Sequence, residues 1–343
     1  MDGKEVNQCR LCNKKKLVKV INFGKIPLGN NLLEKQNLSI KAQRYPLILK
    51  NCKNCNHFQL NYSVNPKILY AKNYTYLSGT GKSMVIHLKE YSDYILKKIN
   101  LKKKSLVLDI GSNDGTCLMN FKKKGMRVVG IDPAKKPCQI AKSRGINSLN
   151  SFFDKKIVSK ILKKHGEVDF ITSHNTLAHV EDLNSIFKNI YNVLKKNGYF
   201  CFEVGYFKEV LKNNYFDTIY HEHLDYHHAN PLVNFLIKLG FSIIELKTTK
   251  IQGGSLRILC KKDGNKKISR KVHLFLKKEK KTILYKKNFI QNWEKKIKFI
   301  MKDARKKILK TTNMNTIYGY GSPTKIILFL KLLKLPQNKI RYI

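Results

Sequence analysis

Leu106-Val107-Leu108-Asp109-Ile110-Gly111-Ser112-Asn113-Asp114-Gly115-Thr116 is the stretch on which the fold turns. A short apolar run of this kind reads as a strand buried on both faces. Glycines at its carboxyl end let the backbone turn tightly into a helix. Working outward, Val128-Val129-Gly130-Ile131-Asp132 is the next such strand. Phe170-Ile171-Thr172 and Tyr199-Phe200-Cys201-Phe202-Glu203 follow, with helical segments between them. Strands alternating with helices predict a doubly wound α/β sheet, which binds its ligands at the carboxyl ends of the strands.

The turn after the first strand is not the Gly-x-Gly-x-x-Gly dinucleotide fingerprint. It is rich in acids and amides, which suit an aminoacyl group carrying ammonium and carboxylate better than a pyrophosphate. Asp132 ends the second strand about twenty residues on, where a carboxylate holds a ribose diol. Pro133-Ala134 after it would pack on an adenine face. Asp109, Gly111, Asn113, Gly115, Asp132 and Pro133 together outline a pocket for S-adenosylmethionine. Phe152-Phe153-Asp154 falls where a third strand delivers an adenine contact, and Phe153 is its candidate. Ser173-His174-Asn175-Thr176-Leu177-Ala178-His179 follows the fourth strand, at the cofactor's reactive end, and adds Asn175 and Leu177.

Toward the N-terminus stand two tight pairs, Cys9-Arg10-Leu11-Cys12 and Cys52-Lys53-Asn54-Cys55. Each Cys-x-x-Cys turn aims two sulfurs at one point, and two turns complete a tetrahedron around zinc. Four thiolates leave no open coordination position, so the site is structural. A core this small needs the metal's free energy. Cys117, Cys138, Cys201 and Cys260 stand alone and no signal peptide is evident, so thiols in a reducing compartment are expected rather than disulfides. Strand-like runs (Val18-Lys19-Val20-Ile21, Tyr45-Pro46-Leu47-Ile48-Leu49) and a turn cluster (Pro27-Leu28-Gly29-Asn30-Asn31) belong to this part. A helix with apolar spacing is expected over about 83–99. Residues 78–83, Ser-Gly-Thr-Gly-Lys-Ser, resemble a P-loop only superficially, because Tyr76 stands where the first glycine is needed.

The 343 residues carry a net charge of +45, which invites a nucleic-acid reading. Only 8 of the 68 basic residues are arginine, and the lysines spread along the whole chain. Forked phosphate recognition favours arginine, so a solvated lysine surface is the preferred reading, with no nucleic acid expected as partner. No apolar run approaches the roughly 20 residues of a membrane span. A soluble, cytoplasmic protein is expected.

Asp217-Thr218-Ile219-Tyr220-His221-Glu222-His223-Leu224-Asp225-Tyr226-His227-His228 holds four of the chain's ten histidines. An active site is the preferred reading, with histidine as a base of near-neutral pKa, glutamate to orient it and tyrosine as hydroxyl donor. Packing is the second reading and a metal site the third, since His-Glu-x-x-His is absent. Beyond about residue 230 a second α/β region is expected. It contains strands at Phe241-Ser242-Ile243-Ile244 and Leu256-Arg257-Ile258-Leu259 and a lysine-rich helix over roughly 275–310. Arg257, in Gln252-Gly253-Gly254-Ser255-Leu256-Arg257, could serve an anion. Gly319-Tyr320-Gly321-Ser322-Pro323-Thr324-Lys325 could cradle a phosphate at a helix N-terminus, with Lys325 as its cation. The chain stops at Ile343 close to a strand, so this last domain is expected to be incomplete.

The order of these motifs resembles the three-domain, S-adenosylmethionine-dependent sugar C-methyltransferases. These include the deoxysugar C-3 methyltransferases that act on nucleotide-linked 4-keto sugars. The matching pieces are the cysteine pairs, Tyr74-Thr75-Tyr76-Leu77-Ser78, Asp109 and its turn, Gly130-Ile131-Asp132-Pro133-Ala134, Tyr220-His221-Glu222-His223, Gly253-Gly254-Ser255-Leu256-Arg257 and Gly319-Tyr320-Gly321. The resemblance implies a zinc-binding domain over 1–72, a methyltransferase domain over 73–228 and a Rossmann-like, substrate-associated domain over 229–343. It implies a nucleotide sugar, typically dTDP-linked. The family's functional positions fall on Tyr74 or Tyr76, on His179, and on Tyr220, Glu222 and His223. Cys117, His227, His228 and Ser322-Pro323-Thr324 depart from the family pattern. His223 is expected as the base, with Tyr220 second, Glu222 orienting them, and His179 or a tyrosine donating to an enolate oxygen. The rival functions are methylation of an O or N atom, nucleic-acid binding through the zinc module, and a methyltransferase relic without turnover.

Overall fold

The computed structural model describes residues 2–30, 42–71, 74, 76–314, 316–321, 323–336 and 340–342. Asn31, Thr75, Ser322 and Ile343, all quoted above, lie outside the described residues.

Seven strands form the central sheet: β1 (Leu106–Ile110), β2 (Arg127–Asp132), β3 (Asn147–Asn150), β4 (Val168–His174), β5 (Leu194–Gly205), β6 (Ser242–Thr249) and β7 (Ser255–Lys261). Their order is β6-β7-β5-β4-β1-β2-β3. β7 runs antiparallel to both of its neighbours, and the other pairs are parallel. The order reverses between β1 and β4, so a crevice opens at their carboxyl ends, beside Gly111 and His174. All five residues of β1 are buried, as its unbroken apolar reading requires.

β6 and β7 are the strands assigned above to a second α/β region. They close the edge of the central sheet instead, with Leu256, Ile258 and Cys260 in its core. The lysine-rich helix is also two helices, Arg270–Lys280 and Phe289–Met314, separated by the turn Ile283–Tyr285. Asn288 takes a left-handed φ of 59° just before the second helix, which a continuous helix would not allow. That second helix buries Phe289, Trp293, Ile297 and Met301, at a spacing of four residues, in one core with Ile21, Phe23 and Leu49 of the N-terminal sheet.

The N-terminal sheet is antiparallel and orders Asp225–Tyr226, Phe58–Leu60, Tyr45–Cys52 and Leu17–Ile26. Its edge strand therefore comes from the histidine-rich segment, which ties that segment to the cysteine module. The expected helix is Lys82–Ile99, burying Met84, Leu88, Tyr91 and Ile95. At the C-terminal end Ile317–Gly319 and Ile340–Tyr342 pair in parallel around the helix Ile326–Leu333, one βαβ unit. Among the described residues no helix is long and apolar enough to cross a membrane.

Candidate active site

The four N-terminal sulfurs gather as the spacing predicts. Cys9 Sγ is 3.6 Å from Cys55 Sγ, and Cys12 Sγ is 3.6 Å from Cys52 Sγ. All four lie within 4.8 Å of one another. Zinc–sulfur bonds of about 2.3 Å in a tetrahedron put sulfurs just under 4 Å apart, whereas a disulfide needs about 2 Å. The donor set therefore fits zinc and not a disulfide. Both turns close alike. Asn13 N–H donates to Cys9 O and Asn56 N–H to Cys52 O, each asparagine at left-handed φ (59° and 64°).

At the glycine-rich turn, Gly111 has φ +75° and a Cβ there would lie 1.9 Å from Thr176 Oγ1. Gly115 (φ +78°) opens the helix Thr116–Lys123, and a Cβ there would lie 3.0 Å from Ile146 Cγ1. Asp109 is 2% exposed, and its Oδ1 has no partner among the described residues. Burial, with Asp132 nearby, holds its carboxyl well above the usual range. A ligand ammonium is the group that would satisfy this acid, so the turn fits the aminoacyl end of S-adenosylmethionine. Asp132 accepts Asn113 N–H on one oxygen (2.9 Å) and Ala134 N–H on the other (2.8 Å). Each oxygen keeps a lone pair for a diol. Pro133 follows with its carbonyl held by Asn150.

Several expected cofactor residues work differently. The Asn113 side chain accepts Ser78 N–H and donates to Tyr76 O, strapping residues 76–79 over the turn. In the same strap Gly79 N–H donates to Asp114 Oδ2, so this amide of the P-loop-like string serves an acid. Phe153 and Leu177 are 5% and 0% exposed and pack in the core beneath the turn's strands, while the neighbouring Phe152 is exposed. Asn175 makes the bend after β4 at φ +53°, its N–H held by Glu203 O.

Arg257 does not face an anion either. It is 6% exposed, its Nε donates to Glu203 Oε1 at 2.6 Å, and its guanidinium lies over the Tyr91 ring. Glu203 also meets His87 (2.7 Å) and His174 (3.3 Å) through its other oxygen. Burial favours the neutral acid, but these hydrogen bonds and Arg257 overcome that and hold Glu203 well below the carboxylate range. Sequence reading missed this network, because its members come from one helix and three strands.

The histidine-rich segment separates into site and scaffold. Tyr220 hydroxyl lies 3.0 Å from His223 Nε2, and His223 Nδ1 lies 3.0 Å from Thr218 O. A carbonyl accepts only, so Nδ1 carries the proton and Nε2 accepts from Tyr220. The His179 ring centroid is 5.0 Å from that of His223. Burial, then Lys325, lowers His223 to about 4, and burial with His223 nearby takes His179 well below its usual value. Both imidazoles are neutral near pH 7. Glu222 is 5% exposed, and burial pushes its carboxyl up to about 7 against one opposing hydrogen bond, from Asn30 Nδ2 (2.6 Å). Thr324 hydroxyl donates to Asn30 Oδ1 at 2.5 Å, joining the C-terminal unit to the same point. Lys325 is exposed beside it.

Tyr74 belongs to this group. Its hydroxyl pKa is raised by burial and then by Glu222, and its ring lies 5.9 Å from Tyr70. Tyr76 is 44% exposed, and its hydroxyl accepts from the Gln252 amide, away from Glu222 and His223. Tyr70 was not foreseen. Its hydroxyl donates to Glu222 O (3.2 Å) and sits 3.0 Å from His179 Nδ1. The other three histidines of the segment are scaffold. His221 Nε2 lies 3.2 Å from Tyr45 O, His227 Nε2 3.5 Å from Leu177 O, and His228 bridges Asn56 O and Glu279.

This sheet order, with an acid-bearing turn after β1 and a ribose-height aspartate after β2, defines an S-adenosylmethionine-dependent methyltransferase. Three family models cover almost the whole chain. A methyltransferase domain matches residues 86–246, a domain described as zinc binding matches 9–70, and a C-methyltransferase C-terminal domain matches 250–343. The chain belongs to the three-domain C-methyltransferases that combine these parts. It is 27% identical over 339 residues to the C-methyltransferase NovU of Streptomyces niveus, covering 98% of this chain and 80% of that one. A ubiquinone biosynthesis O-methyltransferase of Pelagibacter ubique is 36% identical over 109 residues, covering 31% of this chain and 42% of its own length. A solved complex of a Haloferax volcanii methyltransferase with its Trm112 activator overlaps 54% of this chain and 94% of that one, at 16% identity and a TM-score of 0.45.

Proposed function

We propose that this C-methyltransferase acts on the carbon beside the keto group of a nucleotide-linked 4-keto deoxysugar, with dTDP as the nucleotide. The observation that carries the reading is Glu222. Its carboxyl is pushed to about 7, amid tyrosine hydroxyls and neutral imidazoles. Carbon has no lone pair to offer, so methylating it requires removal of an acidified proton by a base with pKa near the working pH.

Glu222 is the better base on this geometry, in exchange for the orienting role first expected of it. Both nitrogens of His223 are already engaged, whereas Glu222 Oε2 has no hydrogen bond among the described residues. Glu222 takes the proton from the carbon next to the carbonyl, and the C–H electrons pass into the enolate. Tyr74 donates a hydrogen bond to the enolate oxygen, where charge develops in a site shielded from water. Tyr220 and His223 form a neutral wall that fixes the ring. The bound sulfonium supplies the methyl group, leaving as a neutral thioether when the new C–C bond forms. The acid-rich turn and Asp132 set the alignment, since the reacting atoms must meet at about 3 Å. Thr324 and Lys325 receive the diphosphate. The methyltransferase unit extends through β7, and a reducing cytoplasm suits its thiolate site.

Purified protein with methyl-labelled S-adenosylmethionine and a panel of 4-keto nucleotide sugars, deuterated beside the carbonyl, tests the reading. Methyl gain should accompany deuterium loss. Methyl gain with deuterium retained rules out the enolate route.

A further inference from the structure

Between two zinc ligands stands Arg10, one of only 8 arginines in a lysine-rich chain. It is 6% exposed. Its Nη1 donates to Leu60 O at 2.8 Å and to Leu224 O at 3.3 Å. Leu224 directly follows His223. The Leu224 carbonyl also accepts Leu60 N–H (2.9 Å), and the Leu224 N–H donates to Ala178 O (2.8 Å), the residue before His179. One guanidinium and the backbone of one residue, Leu224, thus hold the two loops that carry His179 and His223. The Arg10 backbone is fixed in turn, with its N–H on Gln59 Oε1 (2.8 Å) and its carbonyl accepting Asn184 Nδ2 (2.9 Å).

Among the described residues no carboxylate pairs with this buried cation. Its Nε and Nη2 have no partner among the described residues. The Arg10 fork is spent on main-chain carbonyls alone, those of Leu60 and Leu224.

We propose that Arg10 is a positioning residue for methyl transfer. Its fork on the Leu60 and Leu224 carbonyls sets the loop that presents Glu222 and His223 to the substrate. The zinc module is then a part of the catalytic apparatus and not only a staple for the N-terminal fold. The inference rests on the reading of Glu222 and His223 as site residues.

The test compares Arg10→Met and Arg10→Lys with the parent protein, all as full-length zinc-loaded chains. Arg10→Met keeps the apolar stem and loses the fork. Lysine keeps the charge but cannot donate in two fixed directions. Arg10→Met should bind one zinc per chain and S-adenosylmethionine as the parent does. Its kcat on the 4-keto nucleotide sugar should fall by up to about 100-fold, the cost of displacing a reacting group by about 1 Å. Amide exchange at His179 and Leu224 should speed up in Arg10→Met, with Arg10→Lys intermediate in both readouts. Unchanged exchange at those two amides overturns the proposal, as does a kcat loss that tracks zinc loss. A Glu222→Gln control in the same assay separates the two ideas. If it turns over normally while Arg10→Met opens the amides, the reading of the site has failed and the clamp stands.

Discussion

Glu222 and Glu279 are both almost fully buried, at 5% and 2% exposure, yet they hold a proton in opposite ways. Burial pushes Glu222 up to about 7. Burial acts on Glu279 in the same direction, but hydrogen bonds from His228 and its neighbours take it down to about 2. The difference lies in the donors. Glu222 receives one, from Asn30. Glu279 receives Tyr206 hydroxyl, Ala229 N–H, Asn230 N–H and the Asn230 side-chain amide, all within 2.8 Å, with His228 at 3.3 Å. Desolvation with few donors makes a base for neutral pH. Desolvation with many donors makes an anion that stitches the start of the helix Ala229–Lys238 to the helix Arg270–Lys280.

The comparison breaks first at Glu222. Glu222→Gln should lower kcat/KM by about 10²- to 10⁴-fold, the usual contribution of general base catalysis. Calorimetric affinity for S-adenosylmethionine should not change. Glu279→Gln should do the reverse: cost about 3 to 5 kcal/mol in chemical denaturation, by breaking a buried charge network, and leave turnover per folded molecule intact.

The two acids should also separate by pH. Glu222 acts only when ionised, so log kcat/KM should rise with pH and level off above about 7, and the inflection should vanish in Glu222→Gln. Glu279 has a folded value below its unfolded one of 4.5, so its contribution to stability is full above 4.5 and disappears as the pH falls toward 2. An acid unfolding curve that is the same with and without Glu279 contradicts that assignment. The smallest effect is at Lys325. Lys325→Met should raise KM for the nucleotide sugar less than about fivefold, since an exposed charge contributes about 1 kcal/mol or less. By NMR titration His223 should move up slightly from about 4, because burial still lowers it but the added effect of the Lys325 cation is gone.

How far the sequence is legible differs between these regions for physical reasons. The cysteine pairs and the turn at Gly111 are local patterns, in which a few consecutive residues specify the geometry, and both are found as expected. Local pattern could not place β6 and β7, whose apolar alternation suits any sheet and whose partner, β5, is decided by tertiary pairing. Histidine-rich composition marked the segment 217–228 but not its division. His223 and His228 differ only in whether Thr218 and Tyr220, or Asn56 and Glu279, lie opposite them. Asn30 meets Glu222 across 192 residues of chain, beyond any spacing rule. Arg257 looked like an anion site because its partner, Glu203, is fixed by the antiparallel register of β5 and β7.

One experiment tests the central claim directly. The 4-keto nucleotide sugar is incubated in deuterium oxide with the enzyme and S-adenosylhomocysteine, and exchange at the carbon beside the carbonyl is followed by NMR. The parent protein should exchange that proton without methyl transfer, while Glu222→Gln, still binding the thioether, should not exceed the uncatalysed rate. Exchange by Glu222→Gln at the parent rate contradicts the account.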